Sequence, residues 1–525
     1  MRITNKIMQN NNLTNINRNK IMQDKLSTQM STEKKVSKPS DDPVVAIRAL
    51  RLRTNVTEAT QYYSKNIPDA ESWLNVTEGA LQNLSKVLTS MISQCTKGSN
   101  GDLTSSDREI ILEQLKALRD EIYSTADVDY AGRYVFSGYR TDTSISFPYK
   151  QEKHYEITQQ MDNDAIDSVT YVKTTSGTGA SLKDVRNMDV ANYDDIDVAE
   201  AEIDTVEVHR IRLAYKSLDE KAPTISHVTG RDANGELETE DLGTATIVHS
   251  YDVPTAYELA ADNPDSIYFI PETGELILGD NVYNKMMSFK DDPSTSSVNE
   301  SEIRITYEKT SWGKGDLRPE HYYACSADDD VYGTIDYNQD YLDGIDAARQ
   351  VIEYDVGFNQ KIQVNTTADE CFDPNIGREV DDLINALEDL QSMEKIVNDL
   401  EGLLGSGVDE SQTATIESRL KAANRALTLM RDKVQKMFEN GITTFQGHLD
   451  DANLAITNCG TRSAKLELIE NRMQNQKTTY ETLQSENEDI DITEVAINLT
   501  SAELTYEAAL MATGKISQTS LLNFI

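Results

Sequence analysis

Apolar residues recur at spacings of three and four through both outer parts of the chain, and the middle reads as strands and turns. Ile67, Ala70, Leu74, Thr77, Leu81, Leu84, Leu88 and Met91 form a seam of the kind that packs against another helix. The helical stretch opens at SDDPVVAI. Asp42 suits the N-cap, and Pro43 suits the first helical position, where a missing N–H costs nothing. KGSNGD interrupts the pattern. Ser106 and Glu109 are then the predicted capping box of a second helix, whose stripe is Ile111, Leu115, Leu118 and Ile122.

Past about residue 350 the helical spacing returns. Val380, Leu383, Leu387 and Leu390 form a stripe ended by GLLGSG. Ile416, Leu420, Ala423, Leu427, Met430, Val434 and Met437 keep a heptad over three repeats, with Gly441 and Gly447 as expected interruptions. Helix resumes through Leu449, Ile456, Leu466, Ile469, Met473, Tyr480 and Leu483. Asp491 and Glu494 make a further capping box. The last seam runs through Ile492, Val495, Leu499, Ala502, Tyr506, Ala509, Thr513 and Ile516. Apolar residues continue as Leu521, Leu522, Phe524 and Ile525.

The first 40 residues are helix-compatible but weakly apolar, with seven Asn in the first twenty. A helix without an apolar face to bury is marginal in water. On pattern alone both ends fit two outcomes: docking within the molecule, or halves of a coiled coil that forms on assembly.

Residues 141–350 differ in kind. They hold 15 of the 24 tyrosines, many β-branched residues and the turn signals DANGE, PETGE and SWGKGD. SIYFIPETGELILGD reads as a hairpin. One or two β-rich domains are therefore predicted as an insertion between helices that pack together.

Charge adds to this division. The chain of 525 residues has a formal charge of −39 and 38% hydrophobic residues. Residues 1–53 carry 11 Lys/Arg against 4 Asp/Glu, whereas residues 141–350 carry 17 against 43. The basic arm has no recognisable nucleic-acid fold or stacking aromatics, and the acidic middle repels phosphates, so nucleic-acid binding is not expected. No stretch has the roughly 18 apolar residues of a membrane span, and the N-terminal sequence has no signal-peptide h-region.

No catalytic constellation emerges. The six histidines lack HExxH spacing, and phosphate-loop, nucleophile-elbow and dinucleotide motifs are absent. In DYNQDYLDG, Asp336, Asn338 and Asp340 imitate a calcium loop, but Tyr341 and Ala347 stand where that loop needs Gly and Glu. Asp328, Asp329 and Asp330 read as a solvated cluster. Cys95, Cys325, Cys371 and Cys459 have no metal or disulfide spacing and are expected to be buried thiols. No enzyme activity, metal or cofactor is predicted.

MRITNKIMQNNNLTNINRNK, KPSDDPVVAIRALRLR and ADVDYAGRYVFSGYRTDTSISF resemble the N-terminal region of the flagellar hook-associated protein 3 family, within the flagellin superfamily. CGTRSAKLELIENRMQN and ELTYEAALMATGKISQTSLLNFI resemble its C-terminal region. GRYVFSG and the SLL-plus-aromatic ending are the most specific pieces. The likeness covers roughly residues 1–148 and 351–525. Two features of flagellin, a Ser-Ser-Gly turn before the early Asp-Asp and an Ala-rich closing segment, are missing. The chain also has Phe147-Pro148 where the family tends to show Pro-Phe, and its middle is larger than usual.

The resemblance implies an α+β multidomain subunit. Residues 1–42 and 491–525 would pair as a coiled coil in an inner axial domain. Residues 43–140 and 351–490 would form a long-helix bundle, and 141–350 the inserted β-rich outer domain. It implies a structural role in an extracellular flagellum, between hook-associated protein 1 and flagellin, as a ring of copies. Export would use the type III channel without cleavage, after a cytoplasmic chaperone releases the chain. The assembly interface would include Ile492, Val495, Leu499, Ala502, Tyr506, Ala509, Ile516, Leu521, Leu522 and Phe524. A flagellin-like filament subunit, and a scaffold displaying an adhesin or enzymatic middle domain, are the alternatives.

Overall fold

A computed structural model describes residues 5–101, 103–175, 182, 198–232, 237–290, 299–329, 331–343, 350–405 and 410–518. The architecture is α+β and multidomain, with two compact units. Among the described residues no helix is long and apolar enough to cross a membrane.

The first unit gathers residues 1–71, 354–362 and 464–525. It holds α1 (Asn5–Thr32), α2 (Pro43–Gln61) and the start of α3 (Ile67–Gly98). Asp42 caps α2 as its sequence suggests, accepting from the N–H groups of Val44 and Val45 at 3.0 and 3.1 Å. A π-helical turn, Tyr62–Asn66, stands between α2 and α3. Pro68 supplies no N–H to the ladder, and the wider turn adjusts the backbone just ahead of it.

The second unit gathers residues 72–353 and 363–463. It contains the rest of α3 and α4 (Ser105–Ala126). Leu74, Thr77, Leu81, Leu84, Leu88 and Met91 are all fully buried, so the α3 seam is core. The capping box of α4 is Thr104 with Asp107, two residues earlier than Ser106 with Glu109. The Asp107 carboxylate accepts the Thr104 N–H at 3.1 Å, and the Thr104 hydroxyl accepts the Asp107 N–H at 3.2 Å. TSSDRE offers the same spacing twice. In the earlier frame Arg108 lies within the first turn of the helix, where its guanidinium is buried against Glu394.

Short strands β1 (Asp129–Tyr130) and β2 (Arg133–Tyr134) pair with each other. Beyond them come β3 (Gln151–Met161), β4 (Ile166–Lys173), β5 (Asp204–Arg212), β6 (Thr224–Arg231) and β7 (Leu237–Thr244). Next are β8 (Thr246–Ile247), α5 (Ala256–Asp262), β9 (Ile267–Ile270), β10 (Glu275–Leu278) and α6 (Asp280–Met287). β11 (Ile303–Trp312), β12 (Ala324–Asp329) and β13 (Gly333–Tyr337) follow. One sheet has the order β13-β12-β3-β11-β6-β7, and a second has β4-β5-β10-β9-β8.

β9 and β10 are the hairpin expected from SIYFIPETGELILGD, in register Glu275 to Ile270 through Leu278 to Ile267. All eight of its strand residues are buried. Gly274 closes the turn at φ +66°, and a Cβ there would lie 2.0 Å from the Tyr215 carbonyl oxygen, so only glycine fits. α5 covers this sheet, placing Ala256 and Ala260 against Val208, Tyr268, Ile270 and Ile277.

In the six-stranded sheet Tyr155, Ile157, Ile305 and Tyr307 face inward and Glu156, Thr158, Thr306 and Glu308 face outward. Tyr155, Tyr215, Tyr268, Tyr307 and Tyr322 are thus core material. The Trp312 ring packs on Phe147, Tyr155 and Tyr215 at 4.8, 5.2 and 5.2 Å.

A hairpin of β14 (Glu353–Gly357) and β15 (Gln360–Gln363) returns to the first unit. Its tip residue Phe358 packs edge-on against Tyr62 and Tyr480 at 5.6 and 6.1 Å, and Tyr354 donates to Asp69 at 2.5 Å.

α7 (Pro374–Gly405) lays Val380, Leu383, Leu387 and Leu390 into the core of the second unit. α8 (Glu410–Glu488) contributes to both units and runs through Gly441 and Gly447 without a break. The buried rings of Phe438 and Phe445 outweigh the roughly 1 kcal/mol that a glycine costs a helix interior. α9 (Ile492–Gln518) completes the first unit. All four cysteines are buried and unpaired.

An ionic network ties the five-stranded sheet and the connection after β5 to α7. Asp382 accepts from Arg210 at 2.5 Å and from Arg212 at 2.8 Å, and Lys216 reaches Asp381 at 3.0 Å. Arg378 donates to the carbonyl oxygens of Leu213 and Thr273. Burial pushes the Asp382 carboxyl upward, but Arg210 and Arg212 outweigh it and bring the pKa down to about 2.

Candidate assembly interface

α1 and α9 pack against each other along the first unit. On α9 Val495, Leu499, Ala502, Tyr506, Ala509 and Thr513 are shielded, spaced alternately by four and three, and Ala496 flanks the first of them. On α1 they are Asn12, Ile16, Asn19, Gln23 and Leu26, in the same rhythm. These two rows form the inside of the pair. The α1 row is mostly amide side chains, which explains the thin apolar content of that sequence.

Polar groups close the end of the pair. The Ile490 N–H donates to the Glu33 carbonyl at 3.1 Å, and the Lys35 N–H donates to the Glu488 carbonyl at 2.7 Å. Glu33 ends α1 in the left-handed region at φ +58°. Lys34 meets Asp489 at 2.5 Å and Glu488 at 3.6 Å. Hydrogen bonding from Arg53 holds the Glu488 carboxyl below its ordinary range, and hydrogen bonding from Lys34 does the same for Asp489. Asp491 caps α9, accepting from Thr493 and Glu494 N–H groups at 2.9 and 3.2 Å.

Of the sequence-predicted interface residues, Val495, Leu499, Ala502, Tyr506 and Ala509 lie on this inner row. Ile492 is exposed at the start of α9. Ile516 falls in α9 without a described side chain, and Leu521, Leu522 and Phe524 lie outside the described residues.

A second row, outside the seam predicted from the sequence, faces away from the pair. Ile497, Leu504 and Met511 repeat every seven residues and are 65%, 63% and 69% exposed. Leu13, Ile21 and Met22 on α1 and Val44, Ile47 and Leu50 on α2 are also exposed. These large apolar side chains are all open to solvent within one unit. The seven-residue repeat was available in the sequence as the signal for the α9 row.

The calcium-like stretch serves a turn instead. Asn338, at φ +53°, donates to the carbonyl oxygens of Glu320 and Tyr323 at 2.8 and 3.1 Å. Asp329 accepts from the N–H groups of Val331 and Tyr332, and Asp330 lies outside the described residues.

Residues 3–141 match the bacterial flagellin N-terminal helical region. Over 170 residues the chain is 29% identical to flagellar hook-associated protein 3 of Salmonella typhimurium, which covers 31% of this chain and 52% of that protein. It is 30% identical over 154 residues to the Escherichia coli protein of the same name, covering 29% of this chain and 47% of that one. The chain thus spans about half the length of the curated relatives it matches. A crystal structure of flagellar hook-associated protein 3 from Legionella pneumophila aligns over 83% of this chain and 97% of its own, with a TM-score of 0.28 and 10% identity.

Proposed function

We propose that this chain is a structural subunit of the bacterial flagellum, placed between hook-associated protein 1 and the first flagellin subunits as a ring of copies. The observation that carries the reading is the row Ile497, Leu504 and Met511, exposed on α9 while α9 is already paired with α1. A helix pair that still displays apolar rows has a core left to complete. Neighbouring subunits complete it. In this reading residues 1–42 and 491–525 form the inner axial layer, 43–140 and 351–490 the bundle, and 141–350 the outward layer. The acidic outer domain keeps the assembled surface hydrated and discourages lateral aggregation. The subunit acts outside the cell, after type III export without cleavage and release from a cytoplasmic chaperone, and it performs no catalysis.

Immunogold labelling of isolated flagella tests this. A single band of label beside the hook is the expected result. Label along the whole filament would instead make the chain a filament subunit, the reading favoured by the match to the flagellin N-terminal region. Absence of label from flagella would overturn both.

A further inference from the structure

The outward face of the six-stranded sheet brings together His154 on β3, Glu308 on β11 and Asp219 in the connection between β5 and β6. Each offers one ligand atom, and the three atoms lie within 4.8 Å of one another. We propose that His154, Asp219 and Glu308 form a binding site for a divalent transition cation of the Zn2+ class.

The geometry supports this at each ligand. Zn2+ takes nitrogen and oxygen ligands at about 2.0–2.2 Å, so tetrahedral neighbours stand about 3.4 Å apart. His154 Nε2 and Glu308 Oε2 are already 3.5 Å apart. On the other side of the ring, His154 Nδ1 lies 3.3 Å from Asp328 Oδ2 on β12. A carboxylate that accepts a hydrogen bond from Nδ1–H keeps the proton on that nitrogen and leaves the Nε2 lone pair for a metal, the usual arrangement behind a metal-bound histidine. The Asp219 carboxylate is held in turn by the Thr310 N–H at 3.2 Å and the Thr310 hydroxyl at 2.7 Å. Glu308 uses Oε1 for Lys221, which leaves Oε2 facing the histidine.

Two carboxylates and one imidazole suit a borderline cation better than Ca2+, which favours an all-oxygen shell of six or more ligands. Three protein ligands leave a position for water. Bound there, the ion would cross-link two neighbouring strands to the connection before β6. The three ligands stand far apart along the chain, so no spacing motif in the sequence joins them.

Calorimetric titration of Zn2+ into the metal-stripped, tag-free full chain tests the site. One equivalent should bind with saturation, and Ca2+ should bind more weakly. His154→Ala and Glu308→Gln should each weaken Zn2+ binding at least tenfold. Asp328→Asn keeps all three ligands and should weaken it about tenfold through the orienting carboxylate. Circular dichroism would verify that each variant is folded. No saturable binding by the folded wild-type chain, or unchanged affinity in a folded His154→Ala variant, would overturn the proposal.

Discussion

Arg53 of α2 donates two hydrogen bonds to the carboxylate of Glu488, at 2.7 and 2.6 Å, across 435 positions of sequence. The Glu488 side chain is only 4% exposed, whereas that of Arg53 is 54% exposed. Removing the arginine therefore leaves the more buried partner with Lys34 alone, at 3.6 Å. Arg53→Ala should destabilise the first unit by about 1–2 kcal/mol, between the values for exposed and for buried pairs. Hydrogen exchange checks this: amides of α1 and α9 should exchange faster in the variant, and unchanged rates would remove the pair from the closure of these helices.

The same carboxylate makes the closure sensitive to acid. A lowered folded-state pKa stabilises the fold above the ordinary value and is lost as pH falls through the folded value. The ordinary values are 4.5 for Glu488 and 3.8 for Asp489, and both groups are lowered. Stability of the first unit should thus be constant near pH 6–7 and fall below about pH 4.5. Glu488→Gln should flatten that fall. An equal acid sensitivity in the variant, followed by helix exchange rates across pH 3–6, would assign it to other groups.

Pairing and assembly should be separable on α9. Leu499 lies on the row facing α1, so Leu499→Glu should cost the pair about 1–3 kcal/mol by placing a charge in a shielded position. Leu504 is exposed, so Leu504→Glu should leave monomer stability within about 0.5 kcal/mol and still block incorporation into flagella. Thermal melts of the monomer, with filament counts in a complemented null strain, distinguish the two. Normal filaments from Leu504→Glu would take this row out of the interface.

Deletion of residues 150–345 should disturb α7, although the helical patterns on either side are complete without that segment. It removes Arg210 and Arg212 from Asp382 and Lys216 from Asp381, although Asp381 keeps Arg119 and Arg378. In the full chain, where the sheet still covers α7, Arg210→Ala with Arg212→Ala should cost about 3–5 kcal/mol by leaving Asp382 buried without either cation. Thermal melts check this, and adding Asp382→Leu should recover part of the loss. Unchanged melting of the double variant would show that the network contributes little to the stability of α7.

Gly377 lets α7 approach α4 closely. A Cβ at this position would stand 1.9 Å from the Tyr123 hydroxyl oxygen, at the end of a rigid ring. Gly377→Ala should destabilise the second unit by about 1–3 kcal/mol, and adding Tyr123→Phe should recover part of that loss. Urea denaturation of the single and double variants measures both effects. A stable single variant would mean that Tyr123 has room to move.

Helical seams were readable because their spacing follows from the 3.6-residue turn, which no tertiary contact alters. Leu74, Leu81 and Leu88, Val380 and Leu387, and the cap at Asp42 all stand where the pattern puts them. The β9–β10 hairpin was readable for a similar reason, since Gly274 supplies a turn conformation that other residues rarely adopt. Local pattern became ambiguous where one stretch served two frames. TSSDRE carried two capping boxes, and burial around Arg108 selected the earlier one.

On α9 two rows repeat every seven residues, Val495-Ala502-Ala509 and Ile497-Leu504-Met511, and both look like seams. The tertiary structure sets α1 against the first and leaves the second open. No periodicity within α9 contains that choice, because it depends on a helix that begins at the other end of the chain. Arg53 with Glu488, Arg210 with Asp382, and His154 with Asp219 and Glu308 have the same character. Charge interactions act through distance in space, and only the folded path of the backbone makes residues so far apart in sequence into neighbours.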